Sequence, residues 1–312
     1  MKKALVTFVI GDRYKKSFDL FRPSVLAYCE KHGWDFKELT EPLDDGHIYS
    51  QKLLIVNQPW SKDYEYIAWI DSDIWITDQC PDIELPPPGL IGLTKECIVN
   101  DDVHRLICQR RGWGGGDGSL YINAGLMVFS TSDAEYLAKV YEDSREYMKT
   151  APTVDANGNR TICEQIFLSE RFWRDDKIHL MDWRYNVVWP NYRCAFAEPY
   201  ETQQQLIKPM CTLMELVYMV HFTDREDVDI LQLYTRMKRV HGKDVIVPHE
   251  QIQNVFSELF RLLKFRTIYI DSDERPRCPV HQFGYVYPKN IVRWRGESGL
   301  TLTEVDALIN TV

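Results

Sequence analysis

Tyr66-Ile67-Ala68-Trp69-Ile70-Asp71-Ser72-Asp73-Ile74-Trp75-Ile76 is the stretch on which the fold turns. Its apolar half has the β-branched and aromatic content of a buried strand. Two carboxylates leave the end of that strand one residue apart. Side chains on an extended chain repeat every two residues, so Asp71 and Asp73 point the same way. Two like charges that close repel each other unless a cation lies between them. Hard oxygen donors favour Mn²⁺ or Mg²⁺, and a diphosphate can complete the shell. A near copy, Arg266-Thr267-Ile268-Tyr269-Ile270-Asp271-Ser272-Asp273, lies close to the C-terminus. It runs into Glu274-Arg275-Pro276 with no polar landmark after it, so Asp271 and Asp273 read as a surface turn.

Working outward from residue 71, strand-like and helix-like segments alternate. Upstream, Lys3–Ile10 reads as a buried strand and Ser17–His32 as a helix, with Gly33 in the capping position. Trp34–Leu39 reads as a second strand and Gln51–Asn57 as helical. Downstream, Gly89–Leu93 and Tyr121–Phe129 read as strands. Ser132-x-x-Glu135 has the form of a capping box opening a helix to Lys149. Glu164–Arg174 is a further helix, Val217–His221 a strand, and Asp227–Val240 a helix. This alternation predicts an α/β fold with a mainly parallel central sheet and helices on both faces. Ligands of such sheets gather at the carboxyl ends of strands. Gly11-Asp12, Asp71-Ser72-Asp73 and His221 each follow a strand. Beyond residue 243 the alternation breaks. Residues 1–243 therefore read as one catalytic domain and 244–312 as a small C-terminal extension.

Composition narrows the partners. The chain has 312 residues and a net charge of −9. An acidic surface disfavours nucleic acid. It also means that a phosphate-bearing ligand would need a cation to hold it. No run of about 18 apolar residues predicts a membrane span. Ala4–Ile10 is followed by Gly11-Asp12-Arg13 rather than by a cleavage site, so the expected setting is cytoplasmic, with peripheral membrane attachment left open. The eight cysteines are scattered without a Cys-x-x-Cys pair and read as buried thiols. The glycine-dense stretch 110–118 reads as a mobile loop, either a lid or binding-site loop or a plain surface connection.

Four landmarks in order carry a family resemblance: Asp71-Ser72-Asp73, Tyr121-Ile122-Asn123-Ala124-Gly125-Leu126-Met127-Val128-Phe129, Glu164-Gln165, and His221. Over residues 3 to 240 the chain resembles the retaining glycosyltransferases of the GT-A fold, family 8, the group of glycogenin and the bacterial lipopolysaccharide galactosyltransferases. Family 34 shows similar marks.

The resemblance implies transfer of a sugar from a nucleotide-diphosphate donor, a UDP-sugar by family habit, to a glycan or other hydroxyl acceptor. It makes Asp71, Asp73 and His221 the ligands of Mn²⁺ (or Mg²⁺), and an imidazole suits the transition metal better. Gln165 would lie beneath the anomeric carbon, and Glu164 would hold sugar hydroxyls. Asn123, Ala124 and Gly125 become donor-sugar contacts, with Ser72 beside the metal and Asp101 and Asp102 as a further sugar-binding acid position. Thr7, Val9, Gly11, Asp12 and Tyr14 would wrap the base and ribose, and Lys52 would approach the base or phosphates.

The chain departs from the family twice. Glu164 stands where an aspartate is usual, and Phe222-Thr223-Asp224-Arg225 replaces the glycine and lysine that usually follow the histidine. Thr223 and Arg225 would then take over the diphosphate. Trp113, Trp183, Tyr185 and Trp189 are candidate acceptor platforms.

Three other readings stay open at this point. An inverting transferase would use Asp182 or Glu164 as base. A sugar-nucleotide nucleotidyltransferase should carry a Gly-rich phosphate loop after the first strand, which Gly11-Asp12-Arg13-Tyr14-Lys15-Lys16 matches poorly. A sugar-binding module without activity is the third.

Overall fold

A computed structural model describes residues 1–95, 122–150, 163–189, 214 and 217–223. These residues belong to two compact units, divided after Asn186. Asp101, Asp102, Arg225, the expected helix at 227–240, the second acid pair and all of 244–312 lie outside the described residues.

The first unit holds a six-stranded sheet in the order β2-β1-β3-β6-β5-β7. Its strands are β1 (Lys3–Phe8), β2 (Trp34–Leu39), β3 (Tyr66–Ile70), β5 (Ile91–Lys95), β6 (Ile122–Ser130) and β7 (Ile178–Leu180). β1 lies parallel to β2 and β3, and β5 lies parallel to β7. β6 runs antiparallel to both its neighbours, β3 and β5. The sheet is thus mostly parallel, with one reversed central strand that the alternation of segments did not announce. A short strand β4 (Ile74–Ile76) follows the acid pair.

The two faces of the sheet follow from strand alternation. Ala4, Val6, Phe8, Ile67, Trp69, Met127 and Phe129 join one core with Leu53, Ile55, Leu137, Tyr141, Phe167 and Phe172. The last four belong to helices α2 (Ala134–Thr150) and α3 (Cys163–Arg174), which cover this face. Leu5 and its register partner Phe36 face the other way. There Phe36 stacks on Phe18 of α1 (Asp12–His32), with ring centroids 6.1 Å apart. Helices on both faces are what the sequence predicts. α1 ends at Gly33, in the left-handed conformation (φ 68°) that closes a helix.

The segment expected to be helical at Gln51–Asn57 is helical, winding as a 3-10 helix over Ile48–Asn57. Its polar side chains are committed inward. Gln51 accepts from the backbone N–H of Leu43 and Asp44 and donates to the carbonyls of Asp44 and Gly46. The winding of the segment serves these contacts. The capping serine of α2 is displaced. A 3-10 turn, Thr131–Asp133, precedes the helix, and Ser130 rather than Ser132 caps it by accepting from Ser132 N–H. Thr131 anchors that turn by donating to Tyr64 O at 2.8 Å.

The described part of the second unit contains two paired parallel strands, β8 (Val187–Val188) and β9 (Met219–His221). Trp189 is fully buried there with its ring tilted against Phe222.

Candidate functional site

β3 delivers Asp71 at its carboxyl end. The Asp71 N–H donates to Gly125 O at 2.8 Å, so the main chain here is pinned to β6. Its carboxylate accepts from the Trp69 indole at 2.9 Å. Asp71, Ser72 and Asp73 are all half-buried in the turn that leads to β4.

Lys52 enters from the 3-10 helix and is 3 % exposed. Its ammonium donates to Glu164 Oε1 at 3.2 Å and to Ala124 O at 3.1 Å, and lies 3.8 Å from Asp71 Oδ1. Burial pushes its pKa down, but the Asp71 and Glu164 carboxylates more than offset that, and the net direction is upward. The sequence pointed to a base or phosphate contact for Lys52. The structure places its amine between a strand-end aspartate and a helix-start glutamate.

Glu164 and Gln165 occupy the first turn of α3, both buried. Gln165 Oε1 accepts from Ala124 N–H at 3.2 Å, while its buried Nε2 has no hydrogen-bond partner among the described residues. A buried amide donor left unpaired costs about 1–3 kcal/mol, so it marks a place where a ligand would repay the fold. Thr7 on β1 carries a second such orphan, its buried hydroxyl.

Asn123, Ala124 and Gly125 sit inside β6 and are buried. Asn123 Oδ1 already accepts from Gly125 N–H at 2.8 Å and Asn186 Nδ2 at 2.7 Å. Asn186 was missed by sequence reasoning, and so was Ser169, whose hydroxyl donates to Gln165 O and accepts from Ile122 N–H. Neither carries a sequence mark: both are polar residues in apolar surroundings whose partners are more than 40 residues away or one helical turn back.

At the carboxyl end of β1, Val9 N–H donates to Leu39 O, and Gly11 takes a positive φ (85°) as the chain turns into α1. Asp12 opens that helix, with Tyr14 partly exposed in its first turn. In the second unit His221 ends β9 and is 4 % exposed, and Thr223 beyond it is exposed.

One ligand atom each from Asp71, Asp73 and His221 lies within 4.8 Å of the others. Two carboxylate oxygens and one imidazole nitrogen form a mixed donor set that fits Mn²⁺. The residues therefore fit the cation that the acid pair implied.

The expected acceptor platforms are corrected in part. Tyr185 and Trp189 are core residues, and Tyr185 OH is committed to Asp82 O at 2.8 Å. Asp182 caps the turn Trp183–Tyr185 and forms an ion pair with Arg184 through both carboxylate oxygens. No helix among the described residues is long and apolar enough to cross a membrane.

No family profile and no curated protein matches the chain. Solved structures do. One is a glycosyltransferase involved in the glycosylation of the major capsid of PBCV-1: 17% identity, 76% of this chain and 100% of that chain covered, TM-score 0.50. The galactosyltransferase LgtC, solved with donor and acceptor sugar analogs, matches at 14% identity, covering 79% of this chain and 98% of its own, with TM-score 0.48. The glycosyltransferase GlyE of Streptococcus pneumoniae matches at 13% identity, covering 75% and 61%, with TM-score 0.47. At such identity the first likeness establishes architecture alone: the chain has a GT-A fold, like that of the capsid-modifying enzyme.

Proposed function

We propose that the chain is a divalent-cation-dependent glycosyltransferase that takes a sugar from a UDP-sugar and passes it, with retention, to a glycan or other hydroxyl acceptor. The observation that carries this reading is the convergence of Asp71, Asp73 and His221 within 4.8 Å. Beside it stands Gln165, whose buried amide nitrogen has no partner among the described residues. In this reading Asp71, Asp73 and His221 hold Mn²⁺ or Mg²⁺, which when bound supplies a Lewis acid for the departing diphosphate.

The rest falls to the side chains. Gln165 Nε2 donates to the donor sugar, and Glu164 accepts from its hydroxyls while Lys52 donates to one of its carboxylate oxygens. Ser72, Asn123, Ala124 and Gly125 border the same sugar. Asn123 does so through its own amide group, because its oxygen is already engaged. Thr7, Val9, Gly11, Asp12 and Tyr14 form the nucleoside side, and Thr223 and Arg225 take the diphosphate. Asp101 and Asp102 complete the sugar subsite. Residues 1–243 form the catalytic domain and 244–312 an extension to it.

Retention is favoured over inversion by the state of the two alternative bases. Asp182 spends both oxygens on Arg184, and Glu164 gives one to Lys52. A carboxylate in an ion pair is a weak general base. The free, buried thiols of Cys29 and Cys80 support a reducing, cytoplasmic setting.

The test is a thermal-shift panel of nucleotide sugars with and without Mn²⁺. A donor at a hundred times its Kd stabilises the fold by about 2.7 kcal/mol. Wild type should show this only when metal and donor are both present, and Asp73→Asn should abolish it. A panel in which no UDP-sugar stabilises the metal-loaded protein, or in which Asp73→Asn responds like wild type, would end the proposal.

A further inference from the structure

We propose that Trp69 is the positioning residue of the candidate metal centre, holding the Asp71 carboxylate in its cation-facing orientation through a single indole hydrogen bond. The inference rests on the metal-centre reading above and adds to it a residue outside the ligand set.

The geometry begins with the strand. Residues 69 and 71 lie two apart, so both side chains leave β3 on the face that carries Lys52 and α3. The Trp69 side chain reaches forward and its Nε1 donates to Asp71 Oδ1 at 2.9 Å. Indole has one donor and no acceptor. It can therefore hold a carboxylate oxygen and cannot exchange roles with it, as a hydroxyl or an amide could. Trp69 is only 4 % exposed, so water has little access to compete for that N–H. A hydrogen bond to an ionised acceptor in such a place is among the stronger ones.

The ring is itself fixed. Phe8 meets it edge-on at 4.8 Å with an interplanar angle of 67°. On the strand, Trp69 is in register with Val6 on one side and Met127 on the other. The Lys52 ammonium lies 5.6 Å from the ring centroid and 3.8 Å from the oxygen that the indole holds. The Asp71 main chain is tied to Gly125. With the main chain tied to β6 and the indole packed against Phe8, the indole N–H bears directly on the torsions of the Asp71 side chain. Hydrogen bonds from outside the ligand set to a ligating group are worth about 10–100-fold in metal affinity.

The experiment titrates Mn²⁺ into the full chain by EPR of the free ion, alone and with UDP. Two variants remove the N–H. Trp69→Phe keeps an aromatic ring against Phe8. Trp69→benzothienylalanine replaces only the indole N–H by sulfur and keeps the ring shape, which guards against a packing or folding defect in the first. Both are expected to bind Mn²⁺ about 10-fold more weakly than wild type, with the melting temperature of the isosteric variant unchanged. If the isosteric variant binds within about twofold of wild type, too small a change for the range cited, the indole bond does not position Asp71 and the inference falls. If wild type itself takes up no Mn²⁺ with UDP present, the metal centre falls and this inference with it. Those two failures are read from different curves.

Discussion

Lys52 combines three demands in one side chain. Its ammonium is buried, it neutralises Glu164 at 3.2 Å, and it lies 3.8 Å from Asp71. Removing one partner of a buried ion pair leaves the other charge uncompensated at a cost of about 3–5 kcal/mol. Lys52→Met, which keeps the aliphatic stem, is therefore expected to destabilise the fold by about that amount in urea unfolding. A shift below about 1 kcal/mol, the size of an exposed pair, would show that the pair is solvated in solution. At this scale the sequence was legible where a strand supplies a period. Asp71 and Asp73 were paired on paper by strand alternation, but it is the turn between β3 and β4 that carries them. Glu164 and Gln165 were marked by the helix start that follows them. The contacts of Lys52 were not legible, because their partners lie 72 and 112 residues away and nothing local distinguishes a buried lysine from a solvated one. Trp69 was visible as a strand residue but not as a donor, since apolar and hydrogen-bonding uses of indole have the same letter.

Elements are held in place by ties between their ends, and Asp82 is the clearest of these. It follows β4 and accepts from Lys3 of β1 at 2.6 Å and from the Trp34 indole at the start of β2 at 2.7 Å. Burial would raise its pKa, but the Lys3 and Trp34 hydrogen bonds outweigh it and the net direction is downward. A carboxyl whose folded pKa lies below its unfolded value of about 3.9 binds more protons when unfolded. Its stabilisation is thus complete above that value and is lost as pH falls through the folded pKa. Asp82→Asn should flatten the fall in stability below about pH 4, read as urea midpoints across that range. Equal slopes for variant and wild type would rule out Asp82 as a contributor. Element boundaries were legible where a side chain or a glycine fixes them. Tyr66–Ile70 and Trp34–Leu39 were read to the residue, and Gly33 ends α1 as expected. Gln51–Asn57 was read as helical and is so, but its start at Ile48 and its 3-10 winding carry no local mark in the sequence.

Across the whole molecule, hydrophobic patterning specified a sheet with covered faces but not the direction of β6. A fully buried strand reads the same in either orientation, because parallel and antiparallel neighbours both demand a continuous apolar run. That reversed strand has a consequence for how the protein is made. Among the described strands β5 pairs with β6 and β7, both of which come later in the chain, and β3 has β6 on its outer side. When residue 95 leaves the ribosome, β5 therefore has no neighbour to join and β3 presents a bare edge. Vectorial synthesis cannot complete this sheet from its N-terminal third, and the nascent polypeptide must wait for Ile122–Ser130 to slot between two strands already made. A fragment of residues 1–95 is expected to lack a cooperative unfolding transition by circular dichroism. Adding residues up to Asn186 in trans should restore one, because the wedge strand then finds both of its neighbours.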